Sequence, residues 1–346
     1  MKNRKREICT SGSVRDEDGQ PPHLLGRRNF LHLAAGVAAL PALSRAAGAE
    51  TYPTRPVRII VGFAAGGAPD ILARLIGQGL SERLGQQFIV ENRPGAGTNI
   101  ATEAVVRAPP DGYALLQFGP SSAINATLYK KLNFNFTHDI APVASIVRIP
   151  MVMLVNPSLP AKTVPEFIAY AKANPGKVSM ASTGVGSNSH MTGEMFKMMA
   201  NIELVHVPYR GGTAVVADLI GGQVQVLFVG TETIEHIRSG KLRAIAVTTT
   251  TRLDLLPDIP TVGEFLPGFE ASVWFGIGAP RNTHPDVIEK LNKEINAALA
   301  DPKLKARLAD LGGTVLAASP TDFGKLITDE TEKWGNVIRT LNIKAE

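Results

Sequence analysis

The chain has 346 residues, 44% of them hydrophobic and 19% charged, with 36 Lys/Arg against 31 Asp/Glu and one cysteine. That length is ample for a core that holds itself together without disulfides. Eight of the basic and four of the acidic residues fall within the first 49, so the remainder sits near +1 and its charge gives no ground for nucleic-acid binding.

The first 49 residues read as an export leader. Met1 to Gly26 is a long polar extension, Arg27-Arg28-Asn29-Phe30-Leu31 has the twin-arginine pattern, and the apolar run Phe30 to Leu40 follows. Ala47-Gly48-Ala49 then offers an A-x-A cleavage site, which predicts a mature chain starting near Glu50, exported to the periplasm by the twin-arginine route. The apolar run is about half of the ~20 residues a membrane span needs. Cys9 leaves with the leader, so the mature chain has no thiol nucleophile and no cysteine metal ligand.

After the leader the chain alternates strands and helices, which predicts an α/β fold of mostly parallel sheet. Val57 to Val61 is a strand; Gly62 to Pro69 is a turn; a helix runs from Asp70 to Leu84 and stops at Gly85. Phe88 to Val90, the turn Pro94 to Gly97 and a helix from Thr98 repeat the unit, and Tyr113 to Phe118 is the next strand. Ile146 to Val155 reads as an apolar crossing into a second core, followed by a helix at Val164 to Ala173. Val178 to Ala181 enters the turn Ser182 to Ser189 and a helix from His190, and Leu204 to Val207 enters Pro208 to Gly212 and a helix from Thr213. Strands at Val224 to Val229 and Ala244 to Val247 precede the return crossing Ala271 to Ala279; helices at Pro285 to Ala300, Leu304 to Leu311 and Phe323 to Leu341 close the chain. Cutting at the two crossings divides it into 1–49 leader, 50–150 first lobe, 151–271 second lobe and 272–346 return to the first lobe.

Four strand-to-helix turns rich in Gly and Ser offer free backbone N–H groups and the positive ends of helix dipoles. Together they suggest a pocket for an anion such as a carboxylate, placed where open α/β sheets and inter-lobe clefts hold their ligands. Other chemistry finds no support. There is no G-x-S-x-G elbow, no phosphate-binding G-x-x-x-x-G-K-[ST] loop and no H-E-x-x-H. Gly184 to Ser189 misses the dinucleotide fingerprint at its sixth position, where Ser stands for Gly or Ala. His190 and His206 have no carboxylate at metal-ligand spacing, so neither a metal nor a cofactor is expected.

Seven segments recur in the order of one known family: Val57 to Leu72, Val90 to Gly97, Pro110 to Tyr113, Val207 to Gly211, Pro257 to Thr261, Leu266 to Glu270, and Trp274 to Gly276 ahead of Ala279-Pro280. Each is weak alone, but the ordered set resembles the periplasmic solute receptors of tripartite tricarboxylate transporters, the Bug proteins, over essentially all of the chain after Tyr52. The resemblance implies a type II periplasmic binding protein: two lobes closing on a small carboxylate, no catalysis, and delivery to membrane permease subunits by a monomer. An alternative role is a ligand sensor docking on a two-component sensor kinase. Carried over by motif, the ligand-binding residues are Phe63, Ala65, Gly67 and Asp70; Ser121; Ser182, Thr183, Ser187 and His190; and Tyr209 and Arg210. Many members carry an acid where Val229 follows Leu227-Phe228. Val229 is therefore expected to make that wall apolar, against an amine-bearing ligand and for di-, tri- or aromatic carboxylates.

Overall fold

The computed structural model describes residues 52–209 and 212–345. The leader and Arg210 lie outside the described residues. No described helix is long and apolar enough to cross a membrane.

In chain order the elements are β1 (Val57–Val61), α1 (Ala68–Leu84), β2 (Phe88–Asn92), α2 (Asn99–Val106), β3 (Ala114–Phe118), α3 (Pro120–Leu128), α4 (Phe136–Asp139) and β4 (Ile140–Val155). Next come α5 (Val164–Ala173), β5 (Ser179–Ser182), α6 (Asn188–Ala200), β6 (Val205–Pro208), α7 (Gly212–Ile220), β7 (Val226–Gly230), α8 (Ile234–Arg238) and β8 (Arg243–Val247). The chain returns through β9 (Ser272–Pro280), α9 (Pro285–Leu299), α10 (Pro302–Asp310), β10 (Thr314–Val315) and α11 (Pro320–Leu341).

Local chemistry explains many of these bounds. Gly85 takes φ 70° after α1 and donates its N–H to Ser81 O, the left-handed stop that favours glycine. Thr163 caps α5 by accepting from Glu166 N, while Glu166 Oε2 accepts from Lys162 N. Ser187, Asp301 and Ser319 cap α6, α10 and α11 in the same way.

The strands form one mixed sheet in the order β2-β1-β3-β9-β4-β7-β5-β6, with β8 and β10 also on β4. β1 pairs in parallel with β2 and β3, and β5 with β6 and β7, as strand–helix–strand units produce. The centre differs from the parallel expectation: β4 and β9 run antiparallel to each other and to their neighbours. The reason is connectivity, since one strand carries the chain across and the other must bring it back.

β4 is a single strand of 16 residues that begins six residues before the expected crossing at Ile146. Ile140–Pro150 pairs with β9, and Met151–Val155 pairs with β7 and β8. The change of partner falls at Pro150, which has no N–H to give a ladder. Thr248 ties this point together: its buried hydroxyl receives from Met151 N at 3.2 Å and lies 2.5 Å from Ala271 O, beside the returning strand. Apolar side chains cover both faces on each side of the switch, for example Ile59, Leu72, Ile76 and Leu291 on one side and Phe167, Phe196 and Phe228 on the other. α11 serves both: Phe323 and Ile327 pack with Trp274, while Trp334, Val337 and Ile338 pack with Met153 and Phe196.

Candidate ligand-binding cleft

The carboxyl ends of β1, β2 and β5 point their turns at one cleft of about 310 Å³. Its walls are Gly62, Phe63 and Ala64 after β1; Pro94, Gly95, Gly97 and Thr98 after β2; Thr183 to Ser187 after β5; and Ser121, Asn125 and Tyr129 along α3. None of these described lining residues is charged. Phe63 stands edge-on to Phe275, with ring centroids 6.5 Å apart, which fixes the one aromatic ring of the β1 turn. Asn125 Nδ2 donates to Gly97 O at 2.6 Å and to Asn99 Oδ1 at 3.0 Å, clamping the β2 turn to α3.

Charged and titratable groups lie beneath these turns. Asp70, in the first turn of α1 and 3% exposed, accepts from Gly66 N, from Asn92 Nδ2 and from both Nε and a terminal nitrogen of Arg74, all within 3.0 Å. The Arg74 hydrogen bonds lead in holding its carboxyl down at about 2, against the opposing effect of burial. Under the β5 turn, Ser182 Oγ lies 2.7 Å from His206 Nε2 and receives Gly184 N at 3.3 Å. Gly186 N donates to His190 Nδ1 at 3.1 Å, which requires an unprotonated Nδ1 and leaves the proton on Nε2, facing Glu194 Oε1 at 3.6 Å. The His190 and His206 rings stack at 3.8 Å, 11° from parallel. Burial, then the neighbouring His190, lowers His206 to about 4. Burial pushes Glu194 up, yet hydrogen bonds from His190 and Lys197 hold it below the usual carboxylate range. Such an arrangement presents backbone, hydroxyl and amide groups to a ligand and keeps its ionised groups one layer behind.

Residues 72–343 match the tripartite tricarboxylate transporter family receptor. The chain belongs to that family. BugT of Bordetella pertussis is 36% identical over 300 residues, 86% of this chain and 92% of BugT. Among solved structures, Rpa4515 of R. palustris with adipate superposes with a TM-score of 0.75 at 34% identity, covering 85% of this receptor and 99% of Rpa4515. MatC from Rhodopseudomonas palustris with bound malate gives 0.72 at 31%, covering 83% and 100%. Solute binding is the role of this receptor.

The structure brings Phe63, Ser121, Thr183 and Ser187 together in the cleft wall. Ala65 and Gly67 sit exposed on the β1 turn outside that wall, Gly67 as the residue that caps α1. Three of the expected residues lie behind that wall. Asp70 spends its carboxylate on four donors of its own fold, Ser182 is wholly buried under Gly184, and His190 acts on Gly186 from below. Tyr209 is turned away, donating its hydroxyl to Asp218 at 2.7 Å; burial and that carboxylate raise it to about 12. Val229 also lies away from that wall. The alternation of β7 puts it on the face of Leu227, 6% exposed, packed with Val152, Ala181 and Val215 rather than lining the cleft.

Missed by the motif argument were Asn125 and Tyr129. Ser121, Asn125 and Tyr129 recur every four residues, the spacing of one helix face, and Gly119-Pro120 marks a helix start. The signal was there, but no helix is assigned over 120–128 from sequence.

Proposed function

We propose that this receptor captures a small organic carboxylate in the periplasm and delivers it to the membrane subunits of a tripartite transporter, without covalent chemistry on the ligand. The observation that carries the reading is a cleft of about 310 Å³ walled by strand-to-helix turns, with no acidic side chain among its described lining residues. Helix N-termini and hydroxyls favour a carboxylate; the absence of an acid there leaves an ammonium group without a partner. The volume is at the small end of ligand pockets, which fits a ligand of a few carbons. The solved neighbours holding adipate and malate support the same class. Export by the twin-arginine leader belongs to this reading, as does closure of 50–150 with 272–346 onto 151–271 about the Pro150–Met151 partner switch.

The test is a thermal-unfolding screen of the mature protein with adipate, malate, benzoate and aspartate. A ligand that binds only the folded state adds about 2.7 kcal/mol at a hundredfold excess over its Kd. At least one amine-free carboxylate should raise Tm, more than aspartate does. No shift with any carboxylate at millimolar concentration, or a shift with aspartate alone, refutes the reading.

A further inference from the structure

The β5 turn hangs from two histidines, neither of which lines the cleft. Gly184 N donates to Ser182 Oγ at 3.3 Å, and that hydroxyl lies 2.7 Å from His206 Nε2. Gly186 N donates directly to His190 Nδ1 at 3.1 Å, and this bond is buried. Gly184 and Gly186 take φ 138° and 73°, so the backbone bends into the glycine region at both points where it is held. Gly186 is also where the turn meets α3: a Cβ on it would stand 2.5 Å from Leu128 Cδ2. α3 carries Ser121, Asn125 and Tyr129 in the cleft wall. The bond to Nδ1 of His190 therefore sets both the shape of the turn and its fit against α3.

His190 cannot hold Gly186 and take up a proton at once. Its Nε2 already carries the ring's proton, so a second must enter at Nδ1, where the Gly186 N–H points. Two N–H groups would then face each other, and a buried backbone donor would lose its partner. Among the described residues, the titratable and charged groups around this ring come from two elements. His206 of β6 stacks on one face at 3.8 Å, with Ser182 of β5 beyond it. Glu194 Oε1, one turn along α6, lies 3.6 Å from Nε2, and Lys197 binds both oxygens of Glu194 at 2.8 Å. Burial, then the His190 ring, keep His206 neutral down to about 4, so it adds no charge where an ordinary histidine titrates. Glu194 stays ionised despite its burial, because His190 and Lys197 bond to it. His190 thus has a carboxylate beside it that favours an imidazolium and a backbone donor that opposes one.

Resting on the carboxylate-receptor reading, we propose that His190 is a positioning residue for the cleft and makes capture sensitive to acid. The β5 turn is shaped for the ligand while Nδ1 is unprotonated, and a proton there releases Gly186, so proton and ligand exclude each other. A bound carboxylate draws a proton inward, but it lies across the turn, whereas the bond to Gly186 is lost outright; the direct contact decides the sign. By reciprocity, capture holds His190 neutral, and affinity falls as pH falls through the range of histidine titration.

The experiment measures affinity by titration calorimetry at pH 7.5 and 5.0 on the mature wild type, His190→Asn, His190→Leu and Glu194→Gln. The probe is whichever of adipate, malate and benzoate gives the wild type the largest Tm shift. His190→Asn puts an amide oxygen where the ring has Nδ1 and does not titrate. At pH 7.5 it should bind within about threefold of wild type, while His190→Leu, which offers Gly186 no acceptor, should bind about tenfold more weakly. On going to pH 5.0 the wild type should lose about tenfold more affinity than His190→Asn, the ligand's own titration cancelling in the comparison. Glu194→Gln removes the carboxylate that favours the imidazolium and should lose less than wild type. A histidine with only a structural role would lower the ligand-free Tm when replaced and leave the ratio of affinities at the two pH values equal to that of His190→Asn. That result overturns the proposal and leaves the carboxylate reading standing. So does affinity that rises on acidification relative to His190→Asn, or His190→Leu binding as tightly as wild type at pH 7.5. Should His190→Asn not fold, Glu194→Gln carries the comparison, and an acid loss equal to the wild type's overturns the proposal. Wild-type binding of none of the three probes at pH 7.5 overturns both readings.

Discussion

Replacing His206 by Gln removes a titrating ring from beneath the cleft while keeping a nitrogen where Nε2 meets Ser182 Oγ, 2.7 Å away. The groups facing His206 are the stacked His190 ring, Ser182, and beyond His190 the Glu194–Lys197 pair. Burial, then His190, lowers His206 from 6.5 to about 4. The unfolded chain therefore holds more protons at this position than the folded one between those values. Stability from neutral His206 is present in full above pH 6.5 and is lost as pH falls toward 4. At 1.36 kcal/mol per unit, 2.5 units come to about 3 kcal/mol; the ring is half-buried, and solvent relaxation trims this to about 2–3 kcal/mol. Urea unfolding of the mature wild type and of His206→Gln at pH 7.5, 6, 5 and 4 reads the difference directly, because the other carboxylates and histidines titrate in both proteins and cancel. The two should be similar at pH 7.5, and the wild type should lose about 2–3 kcal/mol more by pH 4. Parallel pH profiles would refute the argument that burial keeps this ring neutral.

Asp70→Asn should cost about 1–2 kcal/mol at pH 7, less than the full shift to about 2 implies because Arg74 is 54% exposed. A depressed carboxyl stabilises above its unfolded value, so the difference from wild type should shrink between pH 4 and 2, measured by urea unfolding; a difference that persists at pH 2 speaks against it. Glu330→Ala should destabilise by about 3–5 kcal/mol, since Glu330 Oε2 accepts from both Trp274 and Trp334 Nε1, at 3.1 and 2.9 Å, and its loss strands two buried indole donors. These are the only two tryptophans, so a changed native emission spectrum should accompany the lower urea midpoint, and an unchanged spectrum with unchanged midpoint would sink the claim.

Helix starts and stops and the family could be read from the chain alone, because each depends on residues close in sequence. Val164–Ala173 lies where Thr163, Glu166 and Asn174-Pro175-Gly176 place it, and Gly85 ends α1. The ordered set of weak motifs was enough for the family. What tertiary structure decided was partnership across distance. Nothing local distinguishes Ile140–Ser145 from a loop before the crossing at Ile146; it becomes the first part of a 16-residue strand only because β9 returns beside it. The same holds for which way a site residue faces. Asp70 carries a motif, but Asn92 and Arg74 claim its oxygens. Val229 follows the right pair of residues, yet the register of β7 against Val152 turns it into the core, as a period of two dictates once the partner strand is set. The sequence sets Thr98 at a helix start but not what it packs against. Its surroundings come from Gly62, which packs on it, and Asn125, which holds Gly97 O, 36 and 27 residues away in the chain. Capping and turn chemistry act over three or four residues and are legible there; pairing, register and the facing of side chains are settled by contacts the chain makes only after it has folded.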